Sequence, residues 1–192
     1  MRICPVSRED AGPLLEIYAY YVKNTAVSFE YEIPSVEEFR SRIASVTASY
    51  PYLKAIDEKA PNRILGYAYA GRFHPRKAYE WSVETTVYIR QEERQKGIGG
   101  ALYEELERIL SGMGILNMNA CIALPRGTDP YLTLDSMHFH EHMGFALVGT
   151  FHNSGYKFGR WYDMIWMEKM IGAHKEGQKP VRLGDWQQYL AV

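Results

Sequence analysis

The chain has 192 residues, of which 46% are hydrophobic and 23% charged, a composition that excludes a disordered tail, a collagen and a coiled coil and fits one globular domain with a sizeable core. Its 22 basic and 23 acidic side chains leave a net charge of −1, so electrostatics gives no reason to expect a nucleic-acid or membrane partner. Residues 1–6 read as a short strand. Ser7 precedes an acidic first turn, Glu9 and Asp10, and Leu14, Ile17, Tyr18, Tyr21 and Val22 recur at helical spacing. Ser35 and Glu38 form a capping box before a second helix with Phe39, Ile43 and Val46 on its apolar face, stopped at Tyr50-Pro51.

A β-rich stretch follows. Residues 52–57 read as a strand, 58–62 as a turn, and 63–73 as another strand. The loop 74–78 is basic. Residues 81–89 alternate: Trp81, Val83, Thr85, Val87 and Ile89 on one face, Ser82, Glu84, Thr86 and Tyr88 on the other. After a charged loop, Gly97 opens a third helix with Ile98, Leu102, Leu106 and Ile109 inward, ended by Gly112 and Gly114. Residues 115–124 form a strand, 125–133 a loop, 134–143 a short helix closed by Gly144, and 145–151 and 161–170 two last strands. The tail after 173 carries one aromatic patch, Trp186 and Tyr189, and no clear element. The order β-α-α-β-β-β-α-β-α-β-β, with one central β-α-β among hairpins, argues for an α/β sandwich with a mixed central sheet flanked by helices.

No stretch approaches the roughly 18 apolar residues of a membrane-spanning helix, and the N-terminus lacks the apolar run of a signal peptide. Cys4 and Cys121 lie far apart, which fits free thiols in a reducing cytoplasm. The 15 Tyr, 7 Phe and 4 Trp suit pocket walls and subunit interfaces, where a side chain is part apolar and part wet.

The most informative segment is 87–100, VYIRQEERQKGIGG. A strand ends and glycines lead into a helix, whose unpaired N–H groups and dipole favour an anion. No Gly-Lys-Ser/Thr closes the loop, and GxGG is not GxGxxG. Arg-x-x-Gly-x-Gly after a strand resembles the pyrophosphate loop of the GNAT acetyltransferase superfamily. Segments 24–30 (NTAVSFE), 67–71 (YAYAG), 78–89 (AYEWSVETTVYI), 136–145 (SMHFHEHMGF) and 155–163 (GYKFGRWYD) extend the resemblance to the phosphinothricin and methionine sulfoximine N-acetyltransferase branch across most of residues 3–170.

The resemblance implies a single GNAT domain over residues 1–172 with a C-terminal tail, 173–192. It implies acetyl transfer from acetyl-CoA to the α-amino group of a small amino acid or analogue, by direct attack in a ternary complex and without a metal. Val87, Tyr88 and Ile89 would pair with the pantetheine arm, and Gln95, Lys96, Gly97, Ile98, Gly99 and Gly100 would hold the diphosphate. Glu84 takes the place of the general base. His140 takes that of the acid that protonates the leaving thiolate. Arg76, Phe29 and Tyr79 fall on the substrate side, Arg76 as a clamp for an anionic group. The branch forms homodimers, which places residues 157–161 near a subunit boundary. One departure stands out: the loop 125–135 lacks the Asn with which relatives contact the cofactor.

Other uses of the fold stay open, namely a protein N-terminus or polyamine as the amine, or a non-catalytic acyl-CoA-binding protein. His138 and His142 share a helix face at i,i+4, but without a third ligand they read as surface residues rather than a zinc site. Neither cysteine has the basic, helix-start setting of a nucleophile.

Overall fold

The computed structural model describes residues 1–190, so Ala191 and Val192 of the expected tail lie outside the described residues. Its elements follow the order read from the sequence: β1 (Arg2–Pro5), α1 (Ala11–Asn24), α2 (Val36–Thr47), β2 (Tyr52–Asp57), β3 (Ala60–Arg72), β4 (Ser82–Ile89), α3 (Ile98–Met113), β5 (Asn117–Leu124), α4 (Asp135–His142), β6 (Ala146–Lys157) and β7 (Arg160–Met170). The strands form one seven-stranded sheet in the order β1-β2-β3-β4-β5-β7-β6. All neighbours are antiparallel except β4 and β5.

The alternation along β4 divides the molecule into layers. Val83 packs under α3 with Leu102, Leu106 and Ile109, and Val87 and Ile89 join the edge of that cluster. Tyr67, Tyr69 and Tyr88 face the other way, toward α1 and α2. The β3–β4 register pairs Gly71, Tyr69 and Tyr67 with Glu84, Thr86 and Tyr88, so Glu84 shares the tyrosine face.

The parallel pairing of β4 and β5 is short. It joins Ser82, Val83 and Glu84 to Asn117, Met118 and Asn119 and then stops. Beyond that point β4 stays with β3, while β5 stays with β7 along Asn117–Leu124. The two strands therefore part like the arms of a V, with Glu84 and Asn119 at the apex.

Boundaries differ from the sequence reading where side chains redirect the backbone. The first helix starts at Ala11, not Ser7, because Asp10 turns back to accept the Ser7 N–H at 2.8 Å and the Lys54 ammonium at 2.5 Å, leaving 8–10 as a single 3-10 turn. Ser35 does cap α2, its Oγ accepting the Glu38 N–H at 3.1 Å. β3 begins inside the expected turn. β6 runs to Lys157 instead of residue 151, since its hairpin with β7 resumes after an irregularity between Phe151 and Gly155.

The segment after 173 folds back on the ends of α2 and α3. Trp186 is 1% exposed, and its Nε1 donates to the Thr47 carbonyl at 3.0 Å. The Tyr189 ring lies against Gly112, Arg182 N–H donates to the Met113 carbonyl at 2.9 Å, and Trp81 Nε1 donates to the Lys179 carbonyl at 2.9 Å. A helical period carries no trace of this docking, in which one indole fills the core.

Replacing that indole with a methyl leaves a large cavity. Trp186→Ala is expected to cost about 3–5 kcal/mol and lower Tm on the order of 10 °C, read by denaturant and thermal unfolding. An unchanged Tm would show that the segment adds nothing to the core.

Candidate active site

The open side of β4 exposes backbone that no strand covers. Arg90 N–H donates to Leu65 of β3, while Ile89 N–H turns the other way, 3.3 Å from the Tyr21 hydroxyl. Strand alternation therefore turns the Val87 N–H to the open side as well. Tyr21 also donates to the Ile89 carbonyl at 2.6 Å, so one phenol from α1 occupies the last residue of the unpaired edge.

A cavity of about 580 Å³ fills the opening. Val87, Ile89, Gln95, Gly97, Ile98, Gly99 and Gly100 line it, which brings together most of the residues expected at the cofactor. Tyr88 and Lys96 are not among its walls. The pleat aims Tyr88 at the rings of Tyr18, Tyr21 and Tyr67, and Lys96 is drawn to the Glu93 carboxylate at 2.9 Å. Sequence reasoning missed the opposite walls: Tyr20, Tyr21, Asn24, Thr25 and Val27 from the end of α1, and Tyr131, Thr133, Asp135 and Phe139 around the start of α4. Asn24 to Val27 lay in a matching segment, but Tyr21 reads as an ordinary core position. His138 and His142, expected at the surface, border the cavity too.

The loop into α3 is shaped for close approach. Gly97 adopts φ +78°, where a Cβ would be strained, and sits as the N-cap with no side chain capping the helix. The first N–H groups of α3 thus have no side-chain acceptor and face a glycine surface, a donor set that fits an anionic diphosphate. A Cβ on Gly99 would come within 3.2 Å of the Phe139 ring, which fixes α3 against α4. The loop is strapped at both ends. Glu93 accepts from Arg63 at 2.6 Å as well as from Lys96, and Arg94 reaches Asp135 of α4 at 2.8 Å.

Glu84 stands at the apex of the V. Burial pushes its carboxyl above the usual range, with His74 partly opposing. Burial and Glu84 together push the Cys121 thiol up to about 11, the reverse of an activated nucleophile. Glu84, Phe29, Arg76 and Tyr79 do not line the cavity. The Phe29 ring packs over Gly155 and beside Tyr162, Tyr79 packs with Phe73 and His74, and Arg76 is exposed with no ion pair among the described residues. Within 157–161, expected near a subunit boundary, Lys157 is 2% exposed and Trp161 55% exposed in the single chain.

A family model described as an acetyltransferase (GNAT) domain matches residues 3–166. The chain is a GNAT acetyltransferase. A phosphinothricin N-acetyltransferase of Streptomyces coelicolor is 34% identical over 172 residues, covering 89% of this chain and 96% of the relative. An L-methionine sulfoximine/L-methionine sulfone acetyltransferase of Pseudomonas paraeruginosa is 31% identical, covering 83% and 88%. Among solved structures, a GNAT superfamily phosphinothricin acetyltransferase from Sinorhizobium meliloti in complex with acetyl-CoA superposes with a TM-score of 0.82 at 33% identity, covering 95% of this chain and 97% of that one.

In this acetyltransferase His140 departs from its expected place. It is 5% exposed, packed among Tyr103, Phe139 and Phe145, and it does not border the cavity. Nδ1 lies 2.7 Å from the Ser136 carbonyl oxygen, which only accepts, so Nδ1 carries the proton. Nε2 lies 3.0 Å from the Tyr103 hydroxyl. Burial lowers the imidazole pKa to about 4, against the pull of the Ser136 carbonyl. Desolvation of the ring thus favours the neutral imidazole over the imidazolium that the resemblance implies as proton donor.

Such a neutral histidine binds fewer protons than the unfolded chain between pH 6.5 and about 4, so the stability it supports is present above pH 6.5 and lost as pH falls through that window. His140→Phe is expected to remove about 3 kcal/mol of the acid-induced loss between these limits, measured by urea unfolding at a series of pH values. A pH slope identical to that of the native enzyme would show that His140 already titrates freely.

Proposed function

We propose that the enzyme transfers the acetyl group of acetyl-CoA to the α-amine of a small amino acid or analogue of the phosphinothricin, methionine sulfoximine or methionine sulfone type. One observation carries the reading: a half-buried carboxylate, Glu84, sits where β4 and β5 separate, at the root of the unpaired edge whose outer part lines the cavity. The named relatives, similar over most of their length, support the class of amine.

Acetyl-CoA supplies an activated thioester. The residues of this chain bring the amine to it and manage its proton. The N-terminus of α3 and Gly97 to Gly100 take the diphosphate, and the open edge of β4 from Val87 outward takes the extended arm. An α-amine with a pKa near 8 is mostly protonated at neutral pH and attacks only as the free base. Glu84, directly or through one water, takes that proton, and its raised pKa brings its basicity closer to the working pH. The Val87 N–H on the open side is the donor for the carbonyl oxygen as the C–N bond forms. The C–S bond then breaks, and the departing thiolate takes back, through water, the proton released by nitrogen. Arg76, exposed outside the cavity walls, offers a bidentate guanidinium to an anionic end of the amine.

The enzyme works as a homodimer in the cytoplasm. Leu147, Val148, Phe151 and Tyr156 on the edge strand β6 and Trp161 on β7 are exposed apolar side chains, the kind a second copy would cover. Its two thiols, Cys4 and Cys121, are free, as a reducing compartment keeps them.

Thiol release from acetyl-CoA, screened over the standard amino acids, phosphinothricin, methionine sulfoximine and methionine sulfone, tests this reading. Release is expected with one or more of these amines. Glu84→Gln should lower turnover at pH 7 on the order of 10²-fold while acetyl-CoA affinity stays within about twofold. No release from any of these amines would overturn the substrate class. Undiminished turnover of Glu84→Gln would remove Glu84 from proton transfer.

A further inference from the structure

The end of α1 is held in an unusual way. An α-helix leaves its last carbonyls unpaired, and the usual remedies are a left-handed residue, water or a nearby cation. Here α1 ends at Asn24 and the chain leaves in extended conformation at Thr25. The remedy comes from 135 residues away in sequence: Lys157 Nζ donates to the Val22 carbonyl at 2.8 Å, and also to those of Thr25 at 2.9 Å and Ser28 at 2.6 Å. An ammonium has three N–H donors, and all three are used on backbone oxygens.

These three carbonyls bracket the segment that turns the chain along the cavity, where Asn24, Thr25 and Val27 form one wall. The same segment is also held from within the chain: Ala26 is buried with Ala123, Leu132 and Tyr162, and the Ser28 hydroxyl lies 2.8 Å from that of Tyr18. Ala26 N–H reaches the Tyr131 carbonyl at 3.0 Å, and the Thr25 hydroxyl turns back to Tyr21 at 2.8 Å. The outer hairpin grips it again nearby. The Phe29 ring lies so close over Gly155 that a Cβ there would sit 2.2 Å from it, and the Tyr31 hydroxyl donates to the Tyr156 carbonyl. Burying an ammonium is costly, and an apolar side chain would fill the same space more cheaply, so the retained charge points to geometry rather than stability as its use.

We infer that Lys157 is a positioning residue for acetyl transfer: from the end of β6 it sets the 24–28 wall of the cavity through three carbonyls. The inference rests on the proposed reading that this cavity takes acetyl-CoA. It links the hairpin carrying the exposed apolar face to the cofactor wall without contact between Lys157 and any reacting atom.

The test pairs two variants in acetyl-CoA titration calorimetry with the intact enzyme. Lys157→Met keeps the aliphatic stem and removes the three donors. Acetyl-CoA Kd should rise about tenfold, and amide exchange in residues 24–30 should accelerate, while amides of α3 keep their native rates. Trp186→Ala, destabilised at a distance from this wall, should leave Kd within about twofold, which separates positioning from loss of stability. Should Lys157→Met not fold, Lys157→Arg gives the same comparison: it keeps the charge but offers a planar fork where a three-way donor is needed, and Kd should rise several-fold. A folded Lys157 variant whose Kd and exchange at 24–30 match the native enzyme would overturn the inference. Equal weakening in Trp186→Ala would do so too. A native enzyme that binds no acetyl-CoA would overturn the reading beneath it, and the inference with it.

Discussion

Everything at this site depends on two parallel strands that begin paired and then separate. After Glu84 and Asn119 the backbone of β4 has no strand partner on its β5 side. An uncovered strand edge inside a protein is costly unless its polar groups are met. The sheet tolerates the opening because each strand is secured on its far side, β4 by β3 and β5 by eight register pairs with β7. Side chains close the root of the seam: Asn119 Nδ2 donates to the Val83 carbonyl at 3.0 Å and Thr85 Oγ1 donates to the Asn119 carbonyl at 3.2 Å.

The remaining features follow from that opening. Its outer end is capped by Tyr21, its floor by the glycine-led start of α3, and its far rim by α4, tied to the loop through Arg94 and Asp135. The carboxylate at the root is half-buried because it lies at the junction of two strands, and that burial is what raises its pKa. Charge on the loop is balanced locally by Glu93 between Arg63 and Lys96, which holds the loop while leaving its backbone N–H groups for a ligand.

The order of elements was legible from hydrophobic period, caps and glycines, because each such pattern reports a local preference that the tertiary structure did not override. Glu84 was legible as a carboxylate out of place on a strand, and the 97–100 turn as a helix start open to anions. What escaped was long-range. Trp186 looked like part of a bare tail, since nothing in its neighbourhood announces a hole between α2 and α3. Tyr21 looked like core, because helical spacing shows the inward face but not that its hydroxyl meets Ile89. His140 was given a catalytic place by resemblance, yet spacing alone does not say whether a helical residue faces a cavity or the packed interior beside it. Lys157 sat within a family-like segment that the resemblance placed near a subunit boundary. Only the fold shows three carbonyls converging on it.

The most direct measurement is a crystal structure of the enzyme with acetyl-CoA and a non-reacting amine analogue. The account requires the diphosphate at the N-terminus of α3, the extended arm along the open edge of β4, and the thioester carbon within reach of an amine held near Glu84. A cofactor bound elsewhere, or a thioester lying far from the Glu84 end of the opening, would contradict it.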